Sequence, residues 1–223
     1  HFLSGYRLDL SGIAKLCRDH NVLFCVDGIQ SVGALGTPLD GVDFLAADAH
    51  KWMLGPLAAG IFFVRKSVQE KLRPTLVGWA NAACPGYVAS EDLKFAPDAS
   101  RYEAGSQNLV GVIGLHACIE MLLEAGIPAI QKKLLSNSRF LRDELSRQRW
   151  DLLGDKDHLS SSVTFFKKGA GLEKLFAELV RKNIVPSLRE DRSGQKYIRL
   201  SPHFYNTRRE LEITLEAIGS NKS

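Results

Sequence analysis

Four polar side chains in the stretch VLFCVDGIQSVGALGTPLDGVDFLAADAHKWMLGPLAAGIFFVRK, Val22 to Lys66, have types that could do chemistry together: Asp27, Gln30, His50 and Lys51. A lysine amine condenses with an aldehyde once a confined or cationic setting lowers its pKa. A carboxylate beside a heterocyclic nitrogen keeps that nitrogen protonated through a charge-assisted hydrogen bond, among the stronger polar interactions available. A glutamine amide donates to a phenolic oxygen. These are the demands of pyridoxal phosphate chemistry, in which the cofactor is the electron sink and the protein supplies orientation, charge and exclusion of water. Lys51 fits the amine and Asp27 the carboxylate. Without further context Lys51 reads rather as a solvated lysine before an aromatic, while Asp27 could instead cap a turn with Gly28 and Gln30 could be a turn residue.

The elements that must position these groups are legible as short apolar runs. Val22 to Val26 and Phe44 to Ala47 each end in an acid or polar residue, as buried parallel strands do when a site lies at their carboxyl ends. A third run, Ile61 to Val64, follows the Gly55-Pro56 turn closely enough to return antiparallel. Ahead of them Leu10, Ile13, Ala14, Leu16 and Cys17 recur at helical spacing, with Asp9 placed to cap the start and Asn21 the end.

Four segments, D-G-x-Q at Asp27 to Gln30, H-K-W-x-L-G-P at His50 to Pro56, RYEAGSQN at Arg101 to Asn108 and IRLSPHFYNT at Ile198 to Thr207, resemble class V aminotransferases. This is the fold-type I group that includes cysteine desulfurases, kynureninases and isopenicillin-N-epimerase-like enzymes, and the resemblance spans almost the whole chain. It implies an α/β fold: residues 1–126 as the C-terminal part of a pyridoxal-phosphate-binding large domain, and 127–223 as a linker helix with a smaller α+β domain. The chain therefore reads as the C-terminal part of a longer enzyme.

The same resemblance assigns roles. It places the Schiff base on Lys51, the pyridinium nitrogen against Asp27, the phenolic oxygen against Gln30 and the phosphate against His50. Relatives with desulfurase activity carry a serine two residues before the histidine as a phosphate ligand, where this chain has Asp48. A carboxylate beside a phosphate is repulsive, which leaves Asp48 to bind a donor instead, either His50 or a backbone amide. Ser106, just ahead of a helix near Leu109, is matched to a hydroxyl that reaches the phosphate in the partner subunit, with an ordinary N-cap as the other reading. If so, the enzyme is a homodimer with composite sites. Arg199 faces opposite to Ile198 and Leu200 in its strand and is matched to an arginine that clamps the substrate's α-carboxylate, a solvated strand face being the alternative.

A desulfurase needs a thiolate over the substrate, in a loop shortly before the carboxylate arginine, and Asn183 to Lys196 contains no cysteine. The expectation is a class V aminotransferase-type enzyme acting on an amino acid, Lys51 moving the α-carbon proton. A cysteine desulfurase, an epimerase or lyase of the same family, or a chain inactive by itself remain as alternatives.

Bulk composition agrees with a globular protein: 223 residues, 45% hydrophobic and 24% charged. The net charge of +4 is too small to argue for nucleic acid, no apolar run reaches the length of a membrane helix, and a cytoplasmic location is the expectation. The four cysteines form no C-x-x-C pair and no metal spacing: Cys17, Cys25 and Cys118 read as small core residues and Cys84 as a loop residue. A short helix is expected at Ser67 to Leu72, and a long functional loop at Thr75 to Gly105, which in the family crosses to the dimer partner. Leu109 to Glu124 reads as a helix apolar nearly all round and hence buried, followed by a charged helix to about Arg149. Beyond it come a strand at Ser162 to Phe166, a helix at Leu172 to Lys182, strands at Ile184 to Ser187 and Lys196 to Leu200, and a last helix with a T-x-x-E capping box at Thr207 and Glu210.

Overall fold

The computed structural model describes residues 1–82, 93–167, 169 and 171–220. Cys84 lies outside them. The chain folds as two compact units, one of residues 10–33 and 37–124, the other of residues 1–9, 34–36 and 125–223.

The first unit holds α1 (Leu10–Asp19), β1 (Cys25–Asp27), β2 (Phe44–Asp48), β3 (Gly60–Val64) and most of α2 (Leu109–Ala125). α1 ends in a Schellman motif: Asn21 takes φ 54°, the Val22 N–H bonds to Cys17 O at 2.8 Å and the Asn21 N–H to Arg18 O at 3.1 Å. That turn consumes Val22, so the strand starts at Cys25, later than the apolar run predicts, and includes Asp27. β1 pairs parallel with β2, as the apolar runs predict, and β2 antiparallel with β3, as the Gly55-Pro56 turn predicts. Asp43, ahead of β2, accepts the Phe24 N–H at 2.9 Å and so ties the two strand entries together.

Two expectations fail in this unit. Cys25 alternates with buried Val26 on β1 and is exposed, while Cys17 and Cys118 are only half-buried, so none of the three is a core residue. α2 is not buried either. Gly111, Gly114, Leu115 and Cys118 line the face that meets the Leu54–Ala59 loop; a Cβ on Gly114 would lie 2.7 Å from Pro56 Cγ, and Cys118 Sγ reaches Leu54 O at 3.2 Å. The opposite face, with Val110 82% and Ile113 70% exposed, is left largely uncovered among the described residues. An apolar helix buries only the faces that find a partner.

The second unit is built on an antiparallel sheet in the order β4-β5-β7-β6, from β4 (Asp151–Leu153), β5 (Val163–Phe166), β6 (Ser187–Glu190) and β7 (Lys196–Leu200). α3 (Ile127–Arg147), α4 (Leu172–Arg181) and α5 (Arg208–Gly219) contribute Leu141, Leu145, Leu175, Leu179, Leu215 and Ile218 to one core with Val163, Phe165, Ile198 and Leu200. The side chains on the other face of β5 and β7 meet the first residues of the chain: the Thr164 hydroxyl bonds to Leu3 O, and Arg199 to Phe2 O.

The strand expected at Ile184 to Ser187 begins three residues later. Asn183, at φ 58°, closes α4 with a second Schellman motif, in which the Ile184 N–H bonds to Leu179 O at 2.9 Å, and Pro186 has no N–H to give a ladder. Arg149, at φ 61°, ends α3 the same way and turns Trp150 into the core. The capping box forms: the Glu210 N–H bonds to Thr207 Oγ1 at 3.3 Å and the Thr207 N–H to Glu210 Oε2 at 2.6 Å.

Candidate active site

Asp27 and Asp48 are the last residues of two parallel strands, and the Gly28 N–H continues the ladder by bonding to Ala46 O at 2.7 Å. Asp48 sits opposite Gly60, the first residue of β3; a Cβ there would approach Ala47 O to 2.8 Å. Beside these strand ends is a pocket of about 480 Å³ whose lining includes Asp27, Asp48, Phe62, Tyr102 and Glu103. Its three carboxylates favour a cationic or protonated group over an anion. Asp27 accepts the Ile29 N–H through Oδ1 at 3.1 Å, and no other bond to its carboxylate occurs among the described residues. Tyr102 packs edge-on against Phe62, with centroids 5.5 Å apart, and bonds to Gln69 O at 3.2 Å; burial raises its phenol pKa.

The loop after β2 is tied to itself. The Ala49 N–H bonds to Ala59 O, the Gly55 N–H to Ala49 O and the Leu54 N–H to Lys51 O, with Leu54 at φ 59°. Trp52 and Met53 are buried anchors, so the preceding Lys51 is pushed outward, exposed and without a polar partner among the described residues. His50 Nδ1 lies 3.7 Å from Asp48 Oδ2, one of the two donors open to that carboxylate.

Gln30 is linked to this loop by a bond the sequence does not announce: Trp52 Nε1 donates to Gln30 Oε1 at 3.0 Å. Trp52, Tyr102 and Glu103 are thus site residues that sequence reasoning missed. The Trp in H-K-W and the Tyr-Glu in RYEAGSQN were the available signals, inside motifs read for other members.

Ser106 is exposed ahead of α2 but does not cap it. Asn108 does: its Oδ1 accepts the Gly111 N–H at 3.0 Å while its Nδ2 donates to Ala58 O at 3.1 Å, tying the helix start to the lysine-bearing region.

Arg199 belongs to the other unit and is a half-buried residue of β7, neither solvated nor free. Its Nη1 donates to Phe2 O at 2.7 Å and its Nη2 to Ser187 Oγ at 3.3 Å, while Nε is buried with no hydrogen-bond partner among the described residues. Burial, with Arg189 nearby, lowers its pKa, and an arginine stays charged regardless. Among the described residues no three histidine, cysteine or carboxylate side chains are grouped as a metal site needs, and no single helix is long and apolar enough to cross a membrane.

The mixed α/β fold of the chain has solved counterparts. The apo cysteine desulfurase of Thermococcus onnurineus NA1 superposes with a TM-score of 0.88 at 23% identity, over 98% of this chain and 57% of that one. The family model for aminotransferase class-V matches residues 3–213, and the chain belongs to that family. It is 25% identical to an uncharacterised aminotransferase, YcbU, of Bacillus subtilis over 99% of this chain and 57% of the relative. It is 28% identical to a probable cysteine desulfurase of Methanothermobacter thermautotrophicus over 94% of this chain and 56% of the relative. The chain thus spans a little over half the length of these relatives.

Proposed function

We propose that this chain carries the lysine-bearing part of a pyridoxal-5'-phosphate-dependent enzyme that transfers the amino group of an amino acid. What supports the reading is that Lys51 has no polar partner and Asp27 one carboxylate oxygen without a hydrogen bond, both among the described residues, and that the tied loop bearing Lys51 is bonded through Trp52 to Gln30, three residues beyond Asp27. The residues fit the cofactor on chemical grounds: an amine for its aldehyde, a carboxylate for its ring nitrogen and Gln30 as a donor for its phenolic oxygen. When bound, that group would supply the electron sink that lets the substrate's α-carbon give up a proton.

In this reading Lys51 Nζ holds the cofactor and, once freed by the substrate, carries the proton from and to the α-carbon. Asp27 keeps the ring nitrogen protonated, and His50 and Ser106 serve the phosphate, Ser106 from a second copy of the chain. Arg199 grips the substrate carboxylate with the part of its fork not spent on Phe2 and Ser187. Residues 1–126 act as the remainder of a fold-type I large domain and 127–223 as the smaller domain.

Sulfur transfer is the second reading, favoured by the relatives named as probable cysteine desulfurases. It lacks a thiol in Asn183 to Lys196, where the chemistry calls for one. Incubation of the cofactor-loaded protein with paired amino and keto acids, and separately with cysteine, decides between them. Exchange of ¹⁵N into the keto acid is expected. Formation of alanine from cysteine without exchange, its sulfur recovered as sulfide once an added dithiol reduces the persulfide, would replace transamination by desulfuration.

A further inference from the structure

We propose that Trp52 is a positioning residue, whose indole N–H fixes which end of the Gln30 carboxamide is left to donate. The inference rests on the pyridoxal phosphate reading above and deepens it, because Gln30 is useful to a phenolic oxygen only through its N–H groups.

The two ends of a carboxamide are nearly the same size, so shape alone cannot orient one, and the hydrogen-bond network must. An indole nitrogen donates and cannot accept. The atom 3.0 Å from Trp52 Nε1 must therefore be the carbonyl oxygen of Gln30, whatever the rest of the site contains. The amide nitrogen at the other end has no hydrogen-bond partner among the described residues, so its N–H groups stay available to a ligand. Trp52 can act as a fixed reference because it is 6% exposed.

A second contact sets the register between the two segments. Gly33 takes φ +87°, and a Cβ there would fall 2.6 Å from Trp52 O and 2.9 Å from Met53 N. The turn carrying Gln30 and the loop carrying Lys51 thus meet backbone to backbone as well as through the indole. If the indole N–H is removed, the carboxamide can turn half a revolution and offer its oxygen where a donor is needed. Attraction for a phenolate then becomes repulsion.

The bond is tested first without cofactor. In a ¹H–¹⁵N spectrum the Trp52 indole resonance is expected to move upfield in Gln30→Ala, and an unmoved resonance overturns the contact. The positioning role is read from the visible band of the protein loaded with pyridoxal 5'-phosphate and titrated with base. Trp52→Phe keeps most of the buried bulk and should raise the midpoint by about half to one pH unit, the loss of one modest hydrogen bond. Gln30→Ala should give a similar shift, and the double variant no more than either alone, because Trp52 acts through Gln30. An unshifted midpoint in Trp52→Phe, or a full extra shift in the Gln30→Ala background, overturns the inference alone. A parent chain that takes up no cofactor overturns the functional reading and this role with it.

Discussion

Gly33→Ala puts the packing between the Gln30 turn and the Lys51 loop to a quantitative test. At φ +87° an alanine pays the left-handed penalty of about 1–2 kcal/mol. Its Cβ would also sit 2.6 Å from Trp52 O and 2.8 Å from Trp52 C, both backbone atoms that cannot swing away as a flexible side chain would. Forcing such a contact apart costs a further ~1–3 kcal/mol, so about 2–5 kcal/mol is expected in all. With a urea slope of roughly 2–3 kcal/mol per molar, the unfolding midpoint should fall by about 1–2 M, read from tryptophan fluorescence and circular dichroism together. Gly194→Ala is the control: its φ is +82°, but its nearest Cβ neighbour would be Glu190 Oε1 at 4.0 Å, so it pays the conformational term alone. Equal losses in the two variants, or a Gly33→Ala midpoint matching the parent, would refute the close-approach argument.

Two further perturbations test other parts of the account. Asn81 is fully buried, accepting the Gly78 N–H at 2.9 Å and donating to Leu76 O at 2.8 Å and Arg101 O at 3.0 Å; Asn81→Ala should cost about 3 kcal/mol in urea unfolding, and a loss under about 1 kcal/mol would contradict it. Asp191 is held at a pKa of about 2 by the Ser193 hydroxyl, then by the Tyr197 hydroxyl, against an ordinary value of 3.8. A depressed carboxylate pKa contributes stability that is complete above the ordinary value and lost as pH falls through the folded one. The stability gap between parent and Asp191→Asn should therefore be constant above about pH 4 and close towards pH 2; a gap unchanged at pH 2 would contradict the assignment.

Local signals carried the elements of the site. The parallel pair ending at Asp27 and Asp48, the antiparallel return after Gly55-Pro56 and the Thr207–Glu210 box all follow from a few adjacent residues. Long-range bonds were not legible. Arg199 is held by a carbonyl 197 positions away, at Phe2, which no strand periodicity encodes. β6 starts later than its sequence suggests because Asn183 adopts a positive φ to close α4, a backbone choice that asparagine permits and does not announce. The apolar sequence of α2 suggests burial, yet hydrophobicity states only what a face prefers; Val110 and Ile113 stay largely exposed among the described residues. At the head of that helix both Ser106 and Asn108 are suitable cap types, and only the geometry separates them.

The central claim is that Lys51 is the amine presented to a pyridoxal phosphate aldehyde. The most direct measurement adds pyridoxal 5'-phosphate to the protein, reduces with borohydride and maps the modified peptide by mass spectrometry, with Lys51→Ala alongside. Label confined to the peptide bearing Lys51, and lost in the variant, is the predicted result. Label scattered over surface lysines and undiminished in Lys51→Ala would contradict it.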